Sequence, residues 1–284
     1  MVADSALRAM TDDGAFRVVA VRTTDTARGV IDAQKLRGET ARVMAELITG
    51  TILVRETMAP ALRVQGILQG AHKTGVLVAD SWPDGGTRGL AQVPKAHAGD
   101  VSLGDGAVLQ MMRTMPRGAV HQGLIAVPKA ATVSDALMTY MQESEQVASM
   151  IAVGAVLDGD RIVAAGGYLV QLLPELKPEL LMVMTERLKD FPSIGALLRD
   201  EATTPDTLVA ELFYAMPHTR LSDSPLAYRC RCDSVRLLAT MATLPRADIQ
   251  EMVDEGKALE IQCDYCGREY QIEPEQLRGL LAPS

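Results

Sequence analysis

The placement of four cysteines constrains this chain more than any other feature, because all of them lie in the last fifth of its 284 residues. They form two pairs, Cys-Arg-Cys and Cys-Asp-Tyr-Cys, which are separated by thirty residues. Two close thiol pairs are typical of a tetrahedral metal site, and four thiolates suit zinc. The sequence therefore predicts one zinc ion per chain, bound by Cys230, Cys232, Cys263 and Cys266.

The two pairs make different demands on the backbone. Gly267 follows Cys266, and a left-handed glycine there would turn peptide N–H groups toward the sulfurs, as in a zinc knuckle. Cys230 and Cys232 are two residues apart, so on an extended strand their side chains would point to opposite faces. Both can bind one metal only if the backbone turns between them.

Charge near the cysteines favours a reactive site. Zinc with four thiolates carries a formal charge of about minus two. Arg229, Arg231 and Arg268 adjoin the ligands in the sequence and would partly offset that charge. Without metal, the same cations would keep the thiolate pKa values low and the sulfurs reactive. This combination favours a redox switch over an inert site.

The cysteine spacing leaves alternatives open. A permanently structural zinc module would make the chain an interaction protein. A zinc- or thiol-dependent enzyme is a third class, although a dithiol motif belongs at a helix start beside a βαβ unit, and strand patterns flank this one. A nucleic-acid-binding zinc ribbon is opposed by a net charge of -8, and by seven Lys and Arg against ten Asp and Glu in residues 229–284.

Residues 1–174 predict an α+β domain with a largely antiparallel sheet. Its strands and helices are expected in separate parts of the chain, with a tight turn at 158–160 and a capping box from Thr132 to Asp135. The expected strands are 16–21, 62–68, 75–79, 89–93, 107–112, 123–127, 150–157 and 162–172, and the expected helices are 38–56 and 134–146.

After Pro174 the pattern changes. Residues 175–228 predict a linker of short helices without strands, because Pro174 and five further prolines divide a stretch with two apolar stripes into short pieces. The stripes are Leu180, Leu181, Met184 and Leu188, and then Leu208, Val209, Leu212, Phe213 and Met216. Residues 229–284 predict a small zinc-binding domain with helices at 246–254 and at the end of the chain, and strands at 258–262 and 268–272. A unit of this size commonly depends on a metal.

Other patterns bear on location and partners. No apolar run approaches the roughly 18–20 residues of a membrane helix, and the acidic start of the chain does not resemble a secretory signal. We therefore expect a cytoplasmic protein, in which thiols are kept reduced, with no membrane partner. Gly66, Gly70, Lys73 and Thr74 lack the adjacent Gly-Lys of a phosphate loop, so no nucleotide is expected. No catalytic constellation is evident.

The cysteine motif resembles that of the redox-regulated chaperone heat shock protein 33, the 33 kDa chaperonin. The resemblance spans the chain. Asp233 stands where the family usually has serine, and the Gly70–Gly75 turn is longer than the family's. The matching segments are Val43-Met44-Ala45-Glu46-Leu47, His121-Gln122-Gly123, Ser144-Glu145-Gln146, Ala164-Ala165-Gly166-Gly167 with Gln171, Thr243-Leu244-Pro245 and Cys263-Asp264-Tyr265-Cys266-Gly267.

The resemblance implies an ATP-independent holdase rather than an enzyme. The reduced, zinc-bound protein would be inactive, and oxidation would pair Cys230 with Cys232 and Cys263 with Cys266 and release zinc. The small domain would then unfold, the linker would loosen, and exposed apolar surface would bind unfolding client proteins. Dimerisation on activation is also implied. A disulfide between residues two apart is strained and therefore easily reduced, which would make the switch reversible.

Overall fold

The computed structural model of the protein describes residues 3–58, 62–94, 100–129, 131–174 and 177–281. The chain divides into two compact units, Met1–Arg229 and Cys230–Ser284. The predicted boundary after Pro174 meets residues 175–176, which lie outside the described part of the chain.

Strands and short connections make up most of the larger unit. Its strands are β1 (Ser5–Thr11), β2 (Phe16–Arg22), β3 (Arg63–Gln69), β4 (Val76–Ser81), β5 (Gly86–Gln92), β6 (Val108–Thr114), β7 (Val120–Ala126), β8 (Ser149–Asp158), β9 (Arg161–Leu172), β10 (His218–Pro225) and β11 (Ala227–Tyr228). Its helices are α1 (Thr24–Gln34), α2 (Gly38–Glu56), α3 (Val133–Glu143), α4 (Pro178–Asp190), α5 (Ile194–Leu197) and α6 (Pro205–Leu212). The smaller unit contains α7 (Ser234–Met241), α8 (Arg246–Asp254), β12 (Leu259–Gln262), β13 (Glu269–Ile272) and α9 (Pro274–Leu281).

Two sheets organise the larger unit. The first has the order β10-β1-β2-β9-β8 and is antiparallel throughout. The second has the order β11-β5-β4-β3-β6-β7 and is antiparallel except for the short β11–β5 pair. This arrangement confirms the predicted α+β class, which the antiparallel sheets and separate helices define.

Helix α2 contacts strands of both sheets. Its side chains are buried on nearly every side, including Met44, Leu47, Ile48 and Ile52. A helix that is apolar all round must be enclosed, which explains its central position. The structure confirms the predicted helix at both ends.

Two other features were predicted correctly from short-range sequence signals. Strands β8 and β9 pair as a hairpin, in which Asp158 lies opposite Arg161 and Gly159 has a φ of 57° in the tight turn. The side chain of Thr132 accepts a hydrogen bond from the Asp135 N–H, and the capping box at the start of α3 is complete. Both signals act over a few residues, so they could be read from the sequence without knowledge of the fold.

The first sheet is buried on both faces. In β2, Val19 and Val21 face the core around α2, whereas Phe16, Val18 and Ala20 face a second apolar cluster. Opposite those residues lie side chains of α4 and of the α6 region. These are Met184, Leu208, Val209, Leu212 and Phe213. The second predicted stripe is therefore confirmed as a packed face; in the first stripe, Leu180, Met184 and Leu188 pack inward, but Leu181 is exposed.

The prediction that residues 175–228 contain no strands is wrong. Strand β10 (His218–Pro225) pairs with β1 at the edge of the first sheet, and β11 (Ala227–Tyr228) pairs with β5. Strand β10 is polar and mostly exposed, so its residues show no apolar alternation. Backbone pairing at a sheet edge holds it, and that contact is invisible in a hydrophobic pattern.

Within the described residues, no helix combines the length and hydropathy that crossing a lipid bilayer requires.

Candidate metal centre

The first cysteine pair leads into helix α7. The Asp233 carboxylate follows Cys232 and accepts a hydrogen bond of 2.8 Å from the Arg236 N–H, capping the helix. Asp233 also forms an ion pair with the Arg236 side chain. Aspartate and serine are equivalent caps, so the departure from the family pattern keeps the local structure after Cys232. The sequence did not reveal α7 or the part played by Arg236.

The second pair lies in the turn between the antiparallel strands β12 and β13. The Cys263 N–H donates to the Arg268 carbonyl at 2.9 Å, and the Gly267 N–H donates to the Cys263 carbonyl at 2.8 Å. Gly267 has a φ of 70°, the left-handed conformation predicted for it. Since a side chain is strained in that region, glycine is the residue suited to this turn.

The four sulfur atoms converge on one point. They lie within 4.8 Å of one another, and Cys230 Sγ is 3.8 Å from Cys263 Sγ, while Cys232 Sγ is 3.3 Å from Cys266 Sγ. Ligands at about 2.3 Å around a tetrahedral zinc ion are about 3.8 Å apart, which is close to the observed spacing. The four cysteines are therefore positioned to hold a metal ion, and the backbone between Cys230 and Cys232 turns so that both sulfurs enter the cluster.

The four thiols of the cluster differ in acidity. Burial opposes ionisation of Cys232, but hydrogen bonds from Tyr270 and from the other cysteines outweigh it and lower its pKa to about 7. Burial raises the pKa of Cys266 to about 12, and hydrogen bonds with the neighbouring cysteines act in the same direction. A thiolate on Cys232 therefore draws hydrogen bonds from the cluster, and the remaining protons stay on its neighbours.

The arginines beside the cysteines have different partners. Arg268 attracts the sulfurs of Cys232 and Cys266 by its charge, as expected of a cation that offsets ligand charge. Arg229 instead forms an ion pair of 3.0 Å with Asp84 in the larger unit. The carbonyl oxygen of Arg231 accepts a hydrogen bond of 2.8 Å from the Arg236 side chain.

Tyr270 is a site residue that the sequence did not single out. Its hydroxyl donates to Cys232 Sγ at 3.1 Å across a separation of 38 residues. A tyrosine four residues after the last cysteine is the only signal in the sequence, and that signal does not show which sulfur the hydroxyl reaches.

The glycines considered as a phosphate loop lie in a strand and a compact turn. The Gly70 N–H donates to the Gly75 carbonyl at 2.8 Å, and the Thr74 N–H donates to the Ala71 carbonyl at 3.1 Å. The Thr74 hydroxyl accepts a hydrogen bond from the Ser102 N–H at 3.1 Å. These backbone groups therefore serve the turn itself.

Comparison with known proteins finds a matching family and relatives that align with nearly the whole chain. The model of the family described as Hsp33 protein matches residues 4–273. The 33 kDa chaperonin of Syntrophotalea carbinolica is 28% identical and aligns over 98% of this chain and 99% of its own. The 33 kDa chaperonin of Thermus thermophilus is 27% identical over 97% of this chain and 86% of its own.

A solved structure shares the fold. The crystal structure of the 33 kDa chaperonin, a heat shock protein 33 homologue, from Thermotoga maritima superimposes with a TM-score of 0.81. That alignment covers 99% of this chain and 98% of the Thermotoga chain at 22% identity. The fold of this chain is therefore one already known from a solved protein.

Proposed function

The chain belongs to the Hsp33 family, and from that membership we propose that it is a redox-regulated, ATP-independent holdase. In this proposal the reduced protein binds zinc and is inactive. Oxidation of the four cysteines releases the zinc and activates the chain, which then binds unfolding proteins and prevents their aggregation. The convergence of four sulfurs in the small unit is the observation that carries the proposal.

Zinc is the metal that suits the donor set. Four cysteine sulfurs at near-tetrahedral spacing are soft ligands, and tetrahedral thiolate sites select zinc or iron–sulfur centres. We propose that Cys230, Cys232, Cys263 and Cys266 bind one zinc ion per chain in the reduced form. A bound zinc ion would supply folding free energy to the small unit and hold its thiols as thiolates.

The oxidation step balances with a peroxide as the oxidant. Two thiolates give two electrons to one peroxide molecule, which takes up two protons and leaves as two water molecules. The family resemblance pairs Cys230 with Cys232 and Cys263 with Cys266. Since the four sulfurs are all close, the distances fit more than one pairing, and peptide mapping of the oxidised protein distinguishes them.

We propose that unfolding then spreads along the chain to the linker. The proposed regions are an α+β core of 1–174, a helical linker of 175–228 and a zinc switch of 229–284. The linker helices cover one apolar face of the first sheet, and Tyr168 of that sheet meets Phe191 edge-to-face at 5.5 Å between ring centres. The linker reaches Cys230 through the edge strands β10 and β11, and in this proposal melting of the switch would also loosen those strands. Release of α4 and α6 would then expose apolar surface on the helices and on the first sheet.

Several further properties belong to this proposal. The chain would act in the cytoplasm, would have no catalytic activity, and would respond to oxidative stress. Its partners would be unfolded or partly unfolded proteins, with homodimerisation on activation. It would require no nucleotide, nucleic acid or membrane, which agrees with its net charge of -8.

The proposal is tested by following zinc and thiols together. We expect one zinc ion per reduced chain, and peroxide should release it as the four thiols form two disulfides. A chromogenic chelator reports the zinc, and alkylation with mass spectrometry counts the thiols. The control is a chain with serine at all four cysteine positions, which should bind no zinc. Zinc that stays bound under mild peroxide would instead support a permanently structural module in an interaction protein.

A further inference from the structure

We propose that Tyr270 is a positioning residue of the switch, whose hydroxyl restrains the Cys232 sulfur and so sets how readily the metal site is oxidised. This inference rests on the proposed function, because it assigns a role around the same cluster. The carrying observation is the 3.1 Å hydrogen bond from the Tyr270 hydroxyl to Cys232 Sγ.

The strand β13 fixes the position of this hydroxyl. Tyr270 lies opposite Ile261 in the two-stranded sheet. Ile272, two residues further on, therefore shares a face of the strand with Tyr270, and it is fully buried in the apolar core of the small unit. The ring of Tyr270 is thus held by a strand that the core anchors, and the hydroxyl at its end connects β13 to the segment before α7.

Arg268 acts on the same sulfur by its charge. It precedes Tyr270 by two residues, just before β13, and its positive charge attracts the sulfurs of Cys232 and Cys266. Tyr270 differs in that it reaches Cys232 through a directed hydrogen bond.

The chemistry of a thiolate explains what the hydrogen bond from Tyr270 to Cys232 does. A hydrogen bond to a ligand sulfur draws on the same lone pairs that attack an oxidant, so it lowers the nucleophilicity of Cys232. It also orients the sulfur toward the metal, as outer-shell partners of metal ligands commonly do. Loss of the hydroxyl should therefore weaken zinc binding and speed the reaction of Cys232.

The test compares Tyr270→Phe with the parent chain in the reduced, metal-loaded state. We expect roughly 10-fold weaker zinc binding in competition with a chelator, at the lower end of the effect of losing an outer-shell partner. Zinc release under peroxide should be several-fold faster. With cobalt in place of zinc, the sulfur-to-metal charge-transfer band should move to lower energy, because the sulfur has lost a donor.

Two further variants separate positioning from general structure. Tyr214→Phe removes a phenol oxygen at a residue that is 72% exposed in the larger unit, and all three readouts should stay at the parent values. Arg268→Gln removes a cation that attracts the same sulfurs and should weaken zinc binding. That loss should persist in the Tyr270→Phe background, because the charge acts on the sulfurs directly and the hydroxyl acts through its own hydrogen bond.

The outcomes distinguish this inference from the function on which it rests. An unchanged cobalt band and zinc affinity in Tyr270→Phe would overturn the role of Tyr270, even if peroxide releases zinc from both proteins. If the parent chain keeps its zinc under peroxide, the switch fails, but the cobalt band and the affinity still test Tyr270 because they are measured without oxidant.

Discussion

Replacing Cys263 with serine is expected to unfold the small unit and leave the α2 core of the larger one folded. The change removes one of four ligands, and structural zinc sites supply on the order of 10 kcal/mol of folding free energy. The apolar core of this unit is too small to compensate for such a loss. Its buried members are Met241, Ile249, Val253, Ile272 and Leu277.

Hydrogen exchange with mass spectrometry measures this effect in each unit separately. In Cys263→Ser, amide protection should be lost across β12, β13 and the helices beside them, while α2 keeps its protection. The matched control is Val235→Ser, which also introduces a serine in the small unit but at a side chain that is 73% exposed. It should change stability by no more than about 0.5 kcal/mol. Full protection of β12 and β13 in Cys263→Ser would show that the metal site is dispensable for folding.

Placing a charge in the linker stripe is expected to activate the protein without oxidation. The Leu212 side chain is 0% exposed and belongs to the cluster between the linker helices and the first sheet. Leu212→Asp loses at least about 3 kcal/mol of packing, to which the cost of an unpaired buried charge adds. Helix α6 should therefore detach from the sheet, and the reduced protein should suppress aggregation of a test substrate while still holding zinc.

A charge nearby on the exposed side provides the control for this variant. Tyr214→Asp adds the same carboxylate two residues away, at a side chain that is 72% exposed. This protein should remain inactive when reduced. Hydrogen exchange should show α2 still protected in both variants, because its core lies on the other face of the sheet. A Leu212→Asp protein that is inactive although α6 has detached would contradict the prediction, because it would show that release of the linker helix does not create the client-binding surface.

The parts of the fold that the sequence predicted are those with local signals. The spacing of Val43, Met44, Leu47 and Ile48 identified α2, and the alternation and turn residues around Gly159 identified the β8–β9 hairpin. In contrast, β10 is held by pairing with β1, which lies more than 200 residues earlier in the chain. No periodicity in its own polar residues could indicate such a contact.

The candidate site likewise has residues that the sequence predicted and a contact that it did not. Cysteine spacing predicted the ligand set, and Gly267 marked the turn that brings the second pair inward. The contact of Tyr270 with Cys232 joins residues that are 38 positions apart, and it depends on the register of β13. Outer-shell contacts of this kind follow from the folded arrangement, so spacing rules developed for ligands do not reveal them.

The central claim is that oxidation turns this chain into a chaperone, and light scattering tests it most directly. A heat-unfolded test protein is mixed with the chain either reduced and zinc-loaded or peroxide-treated and zinc-free. We predict that only the oxidised form suppresses scattering, and that a reductant applied to the oxidised chain beforehand restores the inactive behaviour. Equal suppression by the two forms, or none by either, would contradict the claim and leave the cysteine cluster as a structural metal site.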